Sequence, residues 1–285
     1  MCILYREKPM KLYNTSSIHT HTTFCDGKNT PAEMAAAAAA QGLRTLGFSG
    51  HQPLPHVNEW SMTEENLPRY RAEVERLRAE WAGRLDILLG LEYDWCTGPR
   101  RPEGFDYWIG STHILRGPAN GRLYEVDEST RQMQACIRDG FEGDTAAMLR
   151  AYYRQVVEVA QMRPDVLGHF DLIVKTNRDG CLFDEDGEEY RAIAGEALDA
   201  CIELGVCFEM NTGAVWRGWR KDAYPADWIL RRMAQADARL TLTADAHETA
   251  ALRFGYERAA ARAAAAGVRT LWVCTAQGWQ RCAAE

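Results

Sequence analysis

Seven short apolar or β-rich runs, separated by amphipathic stretches, constrain this 285-residue chain more than any other feature. The runs are "SSIHTH", "RTLGFSGH", "LDILLGLEYD", "FDYWIGSTH", "DVLGHFD", "VCFEMNT" and "RLTLTADAH". Between them lie helical patterns such as "LPRYRAEVERLRAEWAG", "DTAAMLRAYYRQVVEVAQ", "EEYRAIAGEALDACIELG" and "ADWILRRMAQAD". The alanine-rich "AEMAAAAAAQGL" and "ERAAARAAAAGVR" add helices of strong intrinsic propensity, and a final run, "VRTLWV", follows the last of them. Strand–helix alternation over this length predicts an α/β chain with a parallel sheet. Such a sheet, open or closed, puts its chemistry at the C-terminal ends of its strands. The length suits one domain, 1–285, with a loop-rich insertion or lid at about 114–143.

The strand ends carry a pattern. The first run ends in His19 and His21, with Asp26 in the loop beyond. The second ends in His51, the third supplies Glu92, the fourth His113, the fifth His169, and the seventh Asp245 and His247. The sixth ends in Asn211 and Thr212, which are weaker ligands. On a strand, residues two apart point to one side, so His19 and His21 can grip one ion or two adjacent ones. Asp245 and His247 repeat that spacing, and the two pairs meet if the strands close into a barrel. A lone histidine after a strand is ordinarily a hydrogen-bonded structural residue, and a lone carboxylate a cap or ion pair. The collective pattern changes that reading, because six of the seven histidines lie at strand ends and only His56 does not. Imidazole and carboxylate together suit zinc, manganese or iron better than calcium.

Composition narrows the function classes. A net charge of -7 and a pI of about 5.6 argue against a long nucleic acid or a polybasic membrane patch as partner. Nine scattered cysteines without a CxxC pair predict free thiols in a reducing compartment, not a disulfide framework or a zinc ribbon. The opening residues, "MCILYREKPMKLYN", lack a signal-peptide core, and no apolar run is long enough for a membrane span. A cytoplasmic protein acting on a small molecule is therefore expected.

The stretches "HTHTTFCDGKNTP", "GFSGHQPLP", "LLGLEYDW", "FDYWIGSTHIL", "VLGHFDLIVKTN", "LFDEDGEEYRAI", "FEMNTGAVWRGWRKDAYP" and "LTADAH" carry a resemblance from residue 18 to about 275. The chain resembles the PHP (polymerase and histidinol phosphatase) superfamily, in particular its histidinol-phosphatase branch. The resemblance implies a distorted (β/α)7, TIM-like barrel and two to three divalent ions. The first ion would take His19, His21, Glu92 and Asp245. The second would share Glu92 and add His113 and His169, and the third would take Asp26, His51 and His247. Asp26 stands where some relatives carry a histidine.

The implied activity is metal-dependent hydrolysis of L-histidinol phosphate to L-histidinol and phosphate, a step of histidine biosynthesis. A divalent ion lowers the pKa of its water toward about 7 and neutralises phosphoryl charge. Glu92, Asp245 and His247 are the expected catalytic residues, and Arg217, Arg220 and Lys175 the expected phosphate contacts. Asp94 with Trp95, or Trp216 and Trp219, could meet the amine and imidazole. The competing readings are a phosphoesterase for nucleotides or other small phosphomonoesters, and a metal-binding domain without turnover.

Overall fold

A computed structural model describes residues 10–284 except 57 and 100. The expectations for the first nine residues, Cys2 among them, lie outside this range. The barrel begins with β1 (Ser16–Ser17), α1 (Pro31–Ala40), β2 (Thr45–Phe48), α2 (Asn66–Trp81), β3 (Asp86–Asp94) and β4 (Tyr107–Ser111). Next come a hairpin, β5 (Ile114–Arg116) and β6 (Leu123–Glu125), and then α3 (Thr130–Ala135) and α4 (Thr145–Gln161). The chain continues through β7 (Val166–Leu167), α5 (Glu188–Glu203), β8 (Cys207–Asn211), α6 (Gly213–Trp216), α7 (Asp227–Gln235), β9 (Arg239–Thr243) and α8 (Tyr256–Ala265). It ends in β10 (Thr270–Thr275) and β11 (Gly278–Ala283).

Seven strands form one sheet in the order β1-β2-β3-β4-β7-β8-β9, each neighbour parallel to the next. The ends of the sheet meet where Thr20 bridges Ala246. There His21 N donates to Ala246 O at 2.8 Å and Ala246 N to His19 O at 2.9 Å. The sheet is thus a nearly closed, distorted (β/α)7 barrel. The "SSIHTH" run ladders with β2 only at Ser16 and Ser17, and then leans across to the last strand. That crossing carries His19 and His21 into the barrel mouth.

Local chemistry explains the elements. Thr30 and Glu33 form a capping box around the start of α1, with Pro31 at the first helical position, where no backbone donor is needed. Met34, Ala35 and Ala38 then face the core. On α4 the buried residues Leu149, Tyr152, Tyr153, Val156, Val159 and Ala160 recur at helical spacing. Each large apolar side chain buried this way contributes about 1.5–3 kcal/mol. The Tyr107 ring fills the barrel interior and its hydroxyl donates to Ile18 O at 2.5 Å. A Cβ on Gly90 would sit 2.3 Å from that ring, so this position tolerates only glycine.

The structure adds detail at two places. "VRTLWV" joins no barrel strand: β10 pairs antiparallel with β11, and Cys274 and Trp279 pack with Ile18, Tyr107, Ile109 and Val166 at the N-terminal end of the barrel. The stretch 114–143, expected to be loop-rich, holds the β5–β6 hairpin, α3 and a π turn, anchored by buried Tyr124, Val126, Met133, Cys136 and Phe141. Its apolar residues follow no single period, because each packs from a different short element. No helix among the described residues is long and apolar enough to cross a membrane.

Candidate metal centre

The strand ends bring all nine expected ligand side chains into one cluster at the mouth of the barrel. Glu92, at the end of β3, is its hub. Its Oε2 lies 3.2 Å from His19 Nε2, 3.4 Å from His21 Nε2 and 3.0 Å from His51 Nδ1. Its Oε1 lies 3.1 Å from His169 Nε2 and 3.6 Å from His113 Nε2, and accepts from Ser111 Oγ at 2.6 Å. Asp245 Oδ1 completes the first group, 3.6 Å from His19 Nε2 and 3.2 Å from His21 Nε2. On the outer side, His247 Nε2 is 3.0 Å and His51 Nε2 3.8 Å from Asp26, with His21 Nδ1 at 3.7 Å.

The donors form three overlapping sets: His19, His21 and Asp245; His51, Glu92 and His113; and His21, Asp26, His51 and His247. Within each set the ligand atoms lie within 4.8 Å of one another. His51 therefore stands between two positions, where the resemblance gives it to the third ion alone.

This donor set fits divalent cations. His19 Nε2, His21 Nε2 and Glu92 Oε2 are buried and make no hydrogen bond. A buried polar atom left so costs about 1–3 kcal/mol, and a cation between these three satisfies them together. Asp245 takes a φ of 46°, a backbone region that side-chain-bearing residues seldom adopt. A Cβ on Gly213 would lie 2.9 Å from the Asp245 Cβ, so the glycine of "NTG" makes room for that carboxylate.

Charges are strongly coupled here. Burial alone would push the Glu92 carboxyl up, but His19, His51 and His113 outweigh it and hold the group well below the usual carboxylate range. Asp245 is likewise held low, with Arg217 the largest opposing influence to burial. Burial pulls His113 down, yet Glu92 and Asp94 raise it to about 9. His19 is raised well above its ordinary value by Glu209, Glu92 and Asp245 against the same desolvation. Burial, with His247 and His51 beside it, lowers His21 to about 3. Protons thus occupy part of a cradle shaped for metal charge.

The expected substrate contacts are placed differently from one another. Arg217, just past α6, donates to Asp245 Oδ2 at 2.9 Å and to His247 Nδ1 at 2.7 Å, and lines a 410 Å³ cleft over the cluster. Lys175 lines the same cleft, paired with Asp127 Oδ2 at 2.7 Å. Arg220 does not reach this cleft. Its guanidinium binds Glu185 at 2.9 and 2.7 Å and Val174 O at 2.8 Å. It lines a larger, 670 Å³ cavity that shares Trp219 with the first. The chain turns at Gly218, φ 72°, between Arg217 and Arg220, which line different cavities. Asp94 is no rim charge: it is buried, accepts from His113 N at 2.6 Å, and sits 3.2 Å from His113 Nδ1. Trp216 does not line the cleft: its ring packs against Phe254, centroids 4.9 Å apart, and its Nε1 donates to Glu248 at 3.0 Å.

Sequence reasoning missed five residues. Glu209 is buried beneath His19, and the visible signal was a glutamate inside an apolar strand. Glu125, Asp127 and Glu128 come from the 114–143 insertion and line the cleft with Lys175. Trp60 lays its edge against His51, ring centroids 4.7 Å apart, and nothing local marked it.

Residues 17–213 match the PHP domain. The chain belongs to the PHP family. This PHP protein is 32% identical to the "Probable histidinol-phosphatase" of Deinococcus radiodurans over 89% of the chain and 94% of that relative. It is 28% identical to the histidinol-phosphatase of Bacillus subtilis over 84% of the chain and 96% of that protein. Its fold is similar to that of the histidinol phosphate phosphatase of Lactococcus lactis, solved with zinc, L-histidinol and phosphate. The TM-score is 0.69 at 21% identity, over 94% of this chain and 99% of that one. The strand-end cluster thus lies at the mouth of a PHP barrel, and these three relatives are all named as histidinol phosphatases.

Proposed function

We infer that this chain is a metal-dependent phosphatase that hydrolyses L-histidinol phosphate to L-histidinol and phosphate, in histidine biosynthesis. The observation that carries the reading is the convergence of nine imidazole and carboxylate side chains in a chain 32% identical to a protein named as a histidinol-phosphatase. We propose two to three ions, zinc, manganese or iron, held in the groups described above. Divalent ions there supply Lewis acidity at the phosphoryl oxygens and water of lowered pKa.

The chain's own residues do the rest. Glu92, Asp245 and His247 hold the centre and are the proposed catalytic residues. Asp245 is not set up as a proton donor to the leaving alcohol. Asp245 is held ionised by Arg217. His247 Nδ1 lies 2.7 Å from the Arg217 guanidinium and 2.9 Å from the Asp245 backbone carbonyl. Water in the open cleft is the proposed source of that proton. Arg217 and Lys175 offer charge to the phosphoryl oxygens. Glu125, Asp127 and Glu128 offer the negative wall that an amine and an imidazolium prefer, in the place first given to Asp94. All eight described cysteines are free, which supports a reducing compartment such as the cytoplasm.

The deciding assay measures phosphate release from L-histidinol phosphate beside nucleotide and sugar monophosphates, after chelation and metal restoration. A kcat/KM for L-histidinol phosphate well above the panel is expected. Preference for a nucleotide would keep the metal chemistry and overturn the substrate.

Arg217 gives a sharper test. Loss of one charge-assisted contact costs about 1.5–3 kcal/mol, or about 10–100-fold. Arg217→Met, assayed at saturating metal, is expected to raise KM for the phosphomonoester by about that factor with a smaller change in kcat. Saturation matters because Arg217 also holds Asp245 and His247. An unchanged KM would remove the phosphate contact and leave Arg217 only as their support.

A further inference from the structure

Glu209 is fully buried on β8, inside the barrel, and belongs to none of the ligand groups. A carboxylate survives there only if both oxygens are saturated. They are. Oε1 meets His19 Nδ1 at 2.5 Å and accepts from Thr243 Oγ1 at 2.6 Å. Oε2 accepts from the backbone N–H of His169 at 2.7 Å and from Asn211 Nδ2 at 3.0 Å. These partners come from the crossing segment after β1, the loop after β7, β8 itself and β9. One side chain ties together both edges of the sheet and its middle.

Two consequences follow for the cluster. A carboxylate acceptor at Nδ1 draws the imidazole proton of His19 to that nitrogen, which leaves Nε2 with its lone pair. His19 Nε2 is the atom that faces Glu92 Oε2 and Asp245 Oδ1. His169 is placed through its backbone, since its Nδ1 makes no hydrogen bond. The bond to Glu209 sets where the His169 ring stands, with Nε2 3.1 Å from Glu92 Oε1. His19 and His169 approach opposite oxygens of Glu92, so Glu209 acts on both sides of the hub.

We propose that Glu209 is a positioning residue for the metal centre, fixing the tautomer of His19 and the placement of His169 and thereby setting divalent-cation affinity on both sides of Glu92. The proposal rests on the metal-centre reading above.

Glu209→Gln is the test. Glutamine keeps the shape but offers one oxygen and one amino group where two acceptors are needed, so either His19 or His169 loses its partner. Zinc affinity, read by competition with a chromophoric chelator, is expected to fall by about 10–100-fold, with the far-UV circular dichroism of the metal-free protein retained. Unchanged affinity in the folded variant overturns the proposal. Should the variant not fold, the wild type decides alone. In zinc-loaded protein with ¹⁵N-labelled histidine, the His19 proton is expected on Nδ1, and a proton on Nε2 overturns the proposal. Neither readout uses substrate. A protein that binds zinc yet ignores L-histidinol phosphate loses the activity and keeps this role for Glu209. A wild type that takes up no zinc overturns both.

Discussion

Glu92→Gln is expected to lower kcat/KM for L-histidinol phosphate by about 10³-fold or more while leaving the barrel folded. The magnitude follows from position. Lewis-acid stabilisation of a phosphoryl transition state is worth several kcal/mol, and each 1.36 kcal/mol is a factor of ten. Glu92 is the side chain common to both sides of the cluster: three imidazoles face one oxygen and two face the other. Glutamine would turn an amino group toward one of those sets, where a lone pair is required. The fold is expected to persist because glutamine keeps the side chain's shape and Glu92 belongs to neither apolar core cluster. Steady-state kinetics with metal content measured on the same sample checks this. A folded, fully active Glu92→Gln enzyme would remove the centre from the reaction.

Stripping the metal should lower the melting temperature by about 10 °C at neutral pH. Ligand at 100–1,000 times Kd stabilises by about 3–4 kcal/mol per site, and each kcal/mol moves a domain of this size by about 2–4 °C. The three unpartnered ligand atoms add to the contrast, because their desolvation is compensated only when a cation is present. The gap should narrow on acidification. His113 is raised to about 9 by Glu92 and Asp94 against its burial, so over pH 5–8 it is protonated in the metal-free protein. Its folded pKa exceeds its unfolded one. Its contribution to metal-free stability is therefore fully present below about 6.5 and is lost as pH rises through about 9. Metal must displace that proton, so the metal contribution changes in the opposite sense, growing with pH. Scanning calorimetry with and without chelator at several pH values reads both effects. A melting temperature indifferent to chelation would sink the metal reading.

The cleft also shows how one short turn divides labour between like residues. Arg217 and Arg220 are three apart in "WRGWR", and on sequence alone both are candidate phosphate contacts. The left-handed Gly218 between them separates their paths. One guanidinium faces the metal cluster. The other is taken up by Glu185, whose carboxylate reaches it across 35 positions of chain.

The strand-end cluster and the parallel α/β sheet were legible without coordinates because both depend on local periodicity, while the closed barrel came from the resemblance. Residues two apart on a strand share a face, so HxH and DxH at strand ends declare a common target, and repeated strand–helix units declare a parallel sheet with its chemistry at one rim. What lies around the ligands depends on distance through space, which no local pattern encodes. Glu209 meets His19 from 190 positions away, Asp127 reaches Lys175 from 48, and Asp94 takes the amide of His113 from 19. Only the folded chain, barrel and insertion together, chose those partners. It alone could do so, because a buried carboxylate is stable only where several donors from separate strands converge on it.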